Sequence, residues 1–589
     1  MTCEEKIKSE EFGELLLDYS IGESNVADGM RDYCRVEVDS VISIVYFRRA
    51  AETPVSLANY PYYALPKCYG LMQMENPGAG QEKSEAAREY ELRKSQLPGV
   101  QSFDPLALAD AGILQVQRPP LSLTGRGVIV GFVDTGIRYT MDVFRNGSGG
   151  SRILSIWDQS LDGTPPEGFL YGAEYDREQI NAALSSDRPR ELVPSWDADG
   201  HGTAMASVAA GSVLEGGSRF IGAAPDADLV VVKLRGAKEY LRDYYLLPEQ
   251  AIAYAETDVV MAVKYLEQYA VALERPVVIC IGIGTSYGSH TGASVLDRYL
   301  DSIAAKRSRI LVACGGNEGA SAHHVQNIAT SEAQSVELRV GEGEKGFLLE
   351  TWAEGPSRYR MSLRSPGGEE IREISTGSRT TETYRFIFEK TVITVDSVPL
   401  EEASGRSLLL FRFVNPTAGI WTFMIEAEPE IPGGRYHIWL PIDAFLSWDT
   451  YFLRPDPYIT LTEPSMAQGV ITINAYDDAD GSFYEKSGRG FTADRRIKPE
   501  FAAPGVNVST ILGKRSGSSL AAAMAAGASA QMMQWAVVEK NYPLASGREL
   551  KYYLALGAVR EETIEYPSRE WGLGRINVQR TFQELAGLF

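Results

Sequence analysis

The sequence is poor in the residues that build disulfide frameworks and metal clusters. Five cysteines, Cys3, Cys34, Cys68, Cys280 and Cys314, are scattered over 589 residues. Their odd number and wide spacing exclude a disulfide scaffold, and no CxxC pair suggests zinc. Histidine is equally scarce: His201, His290, His323, His324 and His437. The last four have no carboxylate or thiolate at metal-ligand spacing along the chain, so structural or surface positions are expected for them. Positive charge is also short, with 57 Lys and Arg against 78 Asp and Glu and a net charge of −21. Such a chain repels phosphate backbones, which argues against a nucleic-acid partner. The longest uncharged run, residues 520–538, is Ala-rich and holds Gln531 and Gln534. It lacks the Leu, Ile, Val and Phe density of a bilayer span and reads as a buried helix. Charges interrupt every short apolar run near the amino terminus, so no signal-peptide core is expected there. Free thiols without a secretion signal fit a reducing compartment and cytoplasmic synthesis.

What is present is enough apolar residue, 44% of the chain, to build large cores. Residues 1–80 read as a small α+β unit: SEEFGELLLDY is helix-like and VEVDSVISIVYFRRA strand-like. Residues 75–102 are polar and bracketed by Gly and Pro, as in a linker or an exposed processing segment. From about 120 the texture changes. GVIVGFVDTG, ADLVVVKL, PVVICIGIG and RILVACGGN are fully apolar strands. Helix-like stretches such as EQAIAYAETDVVMAVKYLEQY alternate with them, which implies a parallel sheet covered on both faces. From about 331 to 455 the alternation gives way to short strands and Gly/Pro turns, the pattern of an inserted antiparallel β-sandwich. The expected organisation is a segment 1–101, an α/β domain in two parts, 102–330 and 456–589, and an insertion over 331–455.

Three segments carry candidate chemistry. GFVDTG places Asp134 at a strand's carboxyl end, DGHGT places His201 between two glycines, and GSSLAAA places Ser519 at the start of the Ala-rich helix. Each alone has an ordinary reading: a turn Asp, a turn His, a helix-capping Ser. Together they supply what nucleophilic acyl transfer needs. A serine hydroxyl is weak until a base takes its proton. Imidazole titrates near neutrality and serves as that base, and a carboxylate fixes its tautomer. A helix amino terminus adds positive potential where an oxyanion develops.

The chain order Asp, His, Ser and the motifs DTG, HGT and GSSLAAA resemble the three signatures of the subtilisin-like (S8) serine proteases. VACGGNEG, residues 312–319, is similar to that family's strand ending in Asn. The resemblance implies that Asp134, His201 and Ser519 form the catalytic triad and that Asn317 donates to the oxyanion. It further implies that Gly282, Ile283 and Gly284 form the substrate-binding strand, and that Gly315 and Gly316 form its facing wall. Gly315 stands where Ala is common, which is expected to enlarge the first specificity pocket.

Within that family the chain resembles the Csp germination proteases of spore-forming anaerobes. Those combine an N-terminal prodomain, a subtilase domain and an inserted jelly-roll, and favour Ala after the serine motif. The resemblance implies a monomeric endopeptidase, packaged in the spore, acting on a protein or peptide substrate and on its own prodomain. Autocleavage is expected in the exposed polar stretch, roughly 95–103, with Gln101–Ser102 as a candidate bond. The insertion is expected to pack on the subtilase domain and rigidify it. No cofactor or metal is expected. Calcium at the acidic clusters 197–199 and 477–480 stands as the alternative to solvated loop acids. Two other readings stay open: a clostridial-type subtilase of different role, and a prodomain-blocked pseudoprotease acting as a sensor.

Overall fold

The computed structural model describes residues 105–589 except 215–219, 356, 429–433, 448 and 589. Before residue 105 it describes only the backbones of Arg48–Ala50, Thr53–Ser56 and Leu71–Met74 (β1). The helix expected near the amino terminus and the bond Gln101–Ser102 lie outside the described residues.

An eight-stranded sheet forms the centre. Its strands are β2 (Ile129–Asp134), β3 (Ile153–Asp158), β4 (Ala173–Asp176), β5 (Asp228–Lys233), β7 (Val277–Ile281), β9 (Arg309–Cys314), β10 (Ile471–Tyr476) and β11 (Phe501–Pro504). The spatial order is β11-β10-β9-β7-β2-β5-β3-β4. Every pairing is parallel except that of β3 with β4. The expected α/β fold with helices on both faces is what the structure has. Along β2, Val130 and Phe132 enter one core and Ile129 and Val133 the other, the two-residue period of a strand buried on both sides.

One core packs against α1 (His201–Ala210) and α4 (Ser518–Met533), the other against α2 (Glu256–Ala272) and α3 (Val295–Ala304). Every residue of α4 is buried. That explains the Ala-rich composition, because a helix enclosed on all sides and packed close to α1 has little room for larger side chains. No described helix is long and apolar enough to cross a membrane. Helix α2 starts at Glu256, seven residues later than the helix-like stretch read from the sequence. Glu256 and Asp258 lie in its first turn, where carboxylates favour the helix start. The residues before it are drawn into a strand edge, β6 (Tyr254–Ala255).

The inserted unit consists of two antiparallel sheets of six and five strands around one shared core, with Phe347, Phe411 and Phe413 facing Leu338, Trp421 and Phe423. Its strands run from His324–Ile328 to Tyr451–Phe452. The stretch YRFIFEKTVITV spans a turn between two strands, Thr380–Arg385 and Val392–Glu401. The turn between them is held by Glu369, whose carboxylate accepts from the Ile387 and Phe388 N–H groups. The sandwich packs on the α/β unit. Leu348, Trp352, Leu408 and Trp439 join Leu241, Tyr245 and Tyr287 in one apolar cluster.

The closeness of α4 to α1 can be tested. A Cβ at Gly527 would collide with the Ala209 carbonyl and the Ala223 methyl. Gly527→Val should lower stability to chemical denaturant by about 1–3 kcal/mol, the usual range for overpacking a core. An unchanged unfolding midpoint would mean that the two helices are not in this contact.

Candidate active site

Three chain segments, distant in sequence, end at one point. β2 delivers Asp134 at its last residue, α1 begins with His201, and Ser519 is the second residue of α4. Gly200 precedes His201 at φ 92°, a left-handed conformation that favours glycine and lets the helix begin on the histidine itself. His201 Nδ1 lies 2.8 Å from Asp134 Oδ1 and 3.0 Å from Oδ2, and its Nε2 lies 2.9 Å from Ser519 Oγ. All three side chains are buried. The imidazole is thus placed to take a proton from the hydroxyl while its other nitrogen is held by the carboxylate.

A second layer fixes this line. The Thr135 N–H donates to Asp134 Oδ1 at 2.7 Å, and Gly202 N–H donates to Thr135 Oγ1 at 3.0 Å. Asp197 accepts from Thr135 Oγ1, from Gly200 N–H and from both N–H and hydroxyl of Thr203. The sequence marked Asp197 only as a candidate calcium ligand. Its oxygens are engaged by four protein donors. Asp199 accepts from the His201 N–H at 3.1 Å. Asp477 and Asp480 each accept from a backbone N–H two residues on.

Burial alone would strip the proton from His201. The charge and hydrogen bond of Asp134, followed by the charges of Asp199 and Asp197, outweigh it and hold the imidazole above its ordinary value. The same acids, behind burial, raise Tyr254 at the neighbouring strand edge.

Asn317 sits two residues beyond Gly315, which leaves the end of β9. Its Oδ1 accepts from the Ser518 N–H at 3.1 Å, which leaves the amide nitrogen as the donor beside Ser519. Gly282 touches the triad directly, since a Cβ there would run into Asp134 Oδ2 and the Met205 sulfur. The strand β8 (Ile283–Gly284) pairs antiparallel with β1, Ile283 opposite Met74 and Gly284 opposite Gln73. The other side of β1 pairs with β6, Leu71 opposite Ala255 and Met72 opposite Tyr254. An extended segment from the amino-terminal part of the chain therefore lies as the middle strand between two edges beside the triad. Sequence reading found one edge and missed Tyr254–Ala255, which only the interruption of helical spacing before Glu256 could have signalled.

Gly315 and Gly316 lie at the end of β9 but outside that ladder. Gly315 N–H donates to the Ile473 carbonyl, and Gly316 O accepts from Gly488 N–H. The space freed by the missing methyl at Gly315 is not open, because the Asn474 side chain occupies it. The expected enlargement of the pocket is thereby corrected. Asn474 is pinned by donating to the Gly488 and Glu570 carbonyls. Cys280 and Cys314 are both buried, away from bulk solvent.

The model of the subtilase family matches residues 125–380 and 458–574, more than half of the chain. Among solved structures, the Clostridium perfringens CspB protease is similar at 29% identity with a TM-score of 0.73, covering 82% of this chain and 98% of that one. Sphericase matches at 15% identity and TM-score 0.39 over 79% of this chain and 97% of its own. The prenylagaramide maturation protease PagA matches at 12% and 0.38 over 81% and 99%. No curated protein matches the sequence.

The acids around His201 fix the sign of a pH effect. A protonated imidazole cannot accept the Ser519 proton, so reactivity is lost as pH falls through the raised pKa. Labelling of Ser519 by a fluorophosphonate should show an acid limb centred above 6.5, and Asp199→Asn should move that limb down. A limb at or below 6.5, or one unmoved by the substitution, would contradict this electrostatic account.

Proposed function

The chain belongs to the subtilase family and is a serine protease, and we propose that it is an endopeptidase worked by Ser519, His201, Asp134 and Asn317. The carrying observation is the continuous line from Asp134 through His201 to Ser519, with contacts of 2.8 and 2.9 Å. Ser519 Oγ attacks the scissile carbonyl as His201 Nε2 takes its proton. Asp134 holds the Nδ1 proton and stabilises the imidazolium. The carbonyl oxygen, now an anion, receives the Asn317 amide and the Ser519 N–H. One such donor is worth about 2.7–4 kcal/mol of transition-state stabilisation. His201 then gives its proton to the leaving amine, and water, deprotonated by the same imidazole, releases the acyl group.

The protein is made with an N-terminal prodomain that its own site removes. The pairing of β1 between β6 and β8 supports this reading, since strand addition is how an extended peptide enters such a groove. The biological role is activation of the proform of a cortex-degrading hydrolase in spore germination. That role rests on the motif resemblance to the Csp germination proteases, with which the likeness to the C. perfringens CspB protease agrees. The insertion braces the protease domain, in keeping with the shared apolar cluster between them. The same occupied groove favours a second reading, a protein whose site stays blocked and which serves as a sensor.

Purified Ser519→Ala protein should stay full length while the wild type is nicked, and N-terminal sequencing of the large fragment should begin at Ser102. A fragment beginning just after Met74 would move the cut to the strand in the groove. Equal migration of wild type and variant on a denaturing gel would remove the autoprocessing reading. A wild type that never labels with fluorophosphonate would favour the sensor.

A further inference from the structure

His323 belongs to neither the triad nor the groove, yet it connects one of the active-site loops to the insertion. Its ring is buried. Nδ1 lies 3.3 Å from Glu318 Oε2 and Nε2 lies 3.5 Å from Asp443 Oδ1. Glu318 directly follows Asn317 in the chain. Asp443 opens a turn of the inserted sandwich, and its N–H donates to Glu318 Oε2 at 3.2 Å. The backbone nearby is stitched the same way. Leu440 N–H donates to the His323 carbonyl at 2.9 Å and Phe452 N–H to the Ala322 carbonyl at 3.0 Å. One imidazole thus spans two carboxylates, one on the loop that carries Asn317 and one on the sandwich.

Among the described residues these three form the one group of His and acid side chains with metal-ligand spacing. The geometry favours a proton over a metal. Each ring nitrogen faces a different carboxylate, whereas a metal ligand offers one nitrogen and leaves the other to an outer partner. Glu318 is nearly buried, and a buried carboxylate without a counter-charge is costly. Burial works against the charged ring, but the facing carboxylates of Glu318 and Asp443 outweigh it and raise its pKa. The Thr450 backbone faces it beside those two acids.

We propose that His323 is a positioning residue for Asn317: as an imidazolium between Glu318 and Asp443, it ties the oxyanion loop to the inserted sandwich. The proposal rests on Asn317 acting as the oxyanion donor. The loop has reason to need such a tie. Asn317 and Glu318 are flanked by Gly315, Gly316 and Gly319, so the segment has little stiffness of its own. An oxyanion donor works only when held at about 2.7–3.1 Å from the developing charge, with a tolerance of about 0.5 Å. The core side of the loop is fixed by Gly488 N–H on the Gly316 carbonyl and by Arg489 on the Gly319 carbonyl. The Glu318 side is fixed from the sandwich, through His323 and Asp443.

The test is steady-state hydrolysis of a peptide p-nitroanilide by the processed protein. His323→Gln should lower kcat about tenfold, a fraction of what losing a whole donor costs, with KM within about twofold. Wild-type kcat should also fall at alkaline pH, as the imidazole loses its proton, and that limb should be missing in His323→Gln. Asp443→Asn, at an exposed position, should lower kcat in the same direction without loss of folding. In an Asn317→Ala background, His323→Gln should cost nothing further. An equal loss in that background, or a lowered melting temperature with kcat unchanged, would make His323 merely structural and overturn the proposal. Uptake of one equivalent of Zn2+ in equilibrium dialysis, abolished by His323→Gln, would overturn it in favour of a metal site. If Asn317→Ala itself leaves kcat unchanged, the oxyanion assignment fails first, and the two failures are told apart.

Discussion

The hydrogen bond between His201 Nδ1 and Asp134, closed off from water, is the contact on which the rest of the site depends. Burying a carboxylate is tolerable only if its lone pairs are met, and Asp134 meets them with the imidazole and the Thr135 N–H. That requirement dictates the surroundings. Thr135 must present its hydroxyl to Gly202, so α1 must begin at His201 and nowhere else. Asp197 holds Thr135, Gly200 and Thr203 at once, and so locks the end of β2 to the first turn of α1. The imidazole can then turn toward only one hydroxyl, that of Ser519.

Bringing Ser519 to that point demands close packing of α4 against α1 and against the sheet. The long apolar run is therefore dominated by alanine. The same smallness that rules it out as a membrane span is what allows the approach. Gln531 and Gln534, polar residues in this buried run, are tied to the segment before β2: Gln531 donates to the Leu123 carbonyl, and also to that of Ala223, and Gln534 accepts from Thr124, Gly125 and Arg126. They pin the far end of the helix while Ser518 and Asn317 fix the near end.

The triad and the α/β alternation were legible in the sequence because each is imposed locally. An apolar strand ending in Asp, a Gly-flanked His opening a helix, and a Ser opening an Ala-rich helix each have chemistry that leaves a mark on adjacent residues. What was not legible depends on residues far apart in the chain. Asp197 read as an acid cluster, although its work is to accept from Thr135, sixty-two positions earlier. Gly315 read as an opened pocket, because nothing nearby announces that Asn474 fills the gap. Tyr254 and Ala255 were absorbed into a helix, since Ala and Tyr fit helical spacing and distant partners, β1 and Gly236, make them extended. His323 had no partner at ligand spacing because one of its two acids, Asp443, is 120 positions away.

The insertion is the part whose meaning most needed three dimensions. A sandwich attached through two chain crossings could in principle hang from the protease as a separate module. Its contacts say otherwise. Glu350 of the sandwich is buried and accepts from Gly288 N–H, four residues beyond the groove strand β8, while Trp352 Nε1 donates to the same carboxyl. Burial pushes that acid up to about 7, partly offset by those two donors. His290, from the same protease loop, stacks on Trp439 of the sandwich with ring centres 4.0 Å apart and planes within 7°. Burial pushes this histidine down to about 3, so it stacks as a neutral ring at ordinary pH. The sandwich thus meets the loop after the groove strand through Glu350 and Trp439, and the loop of Asn317 through Asp443. Both loops begin at the carboxyl ends of the central sheet, where an α/β protein places its ligand. An addition that grips both of them is fixed to the loops around the site, as a module on a flexible tether would not be.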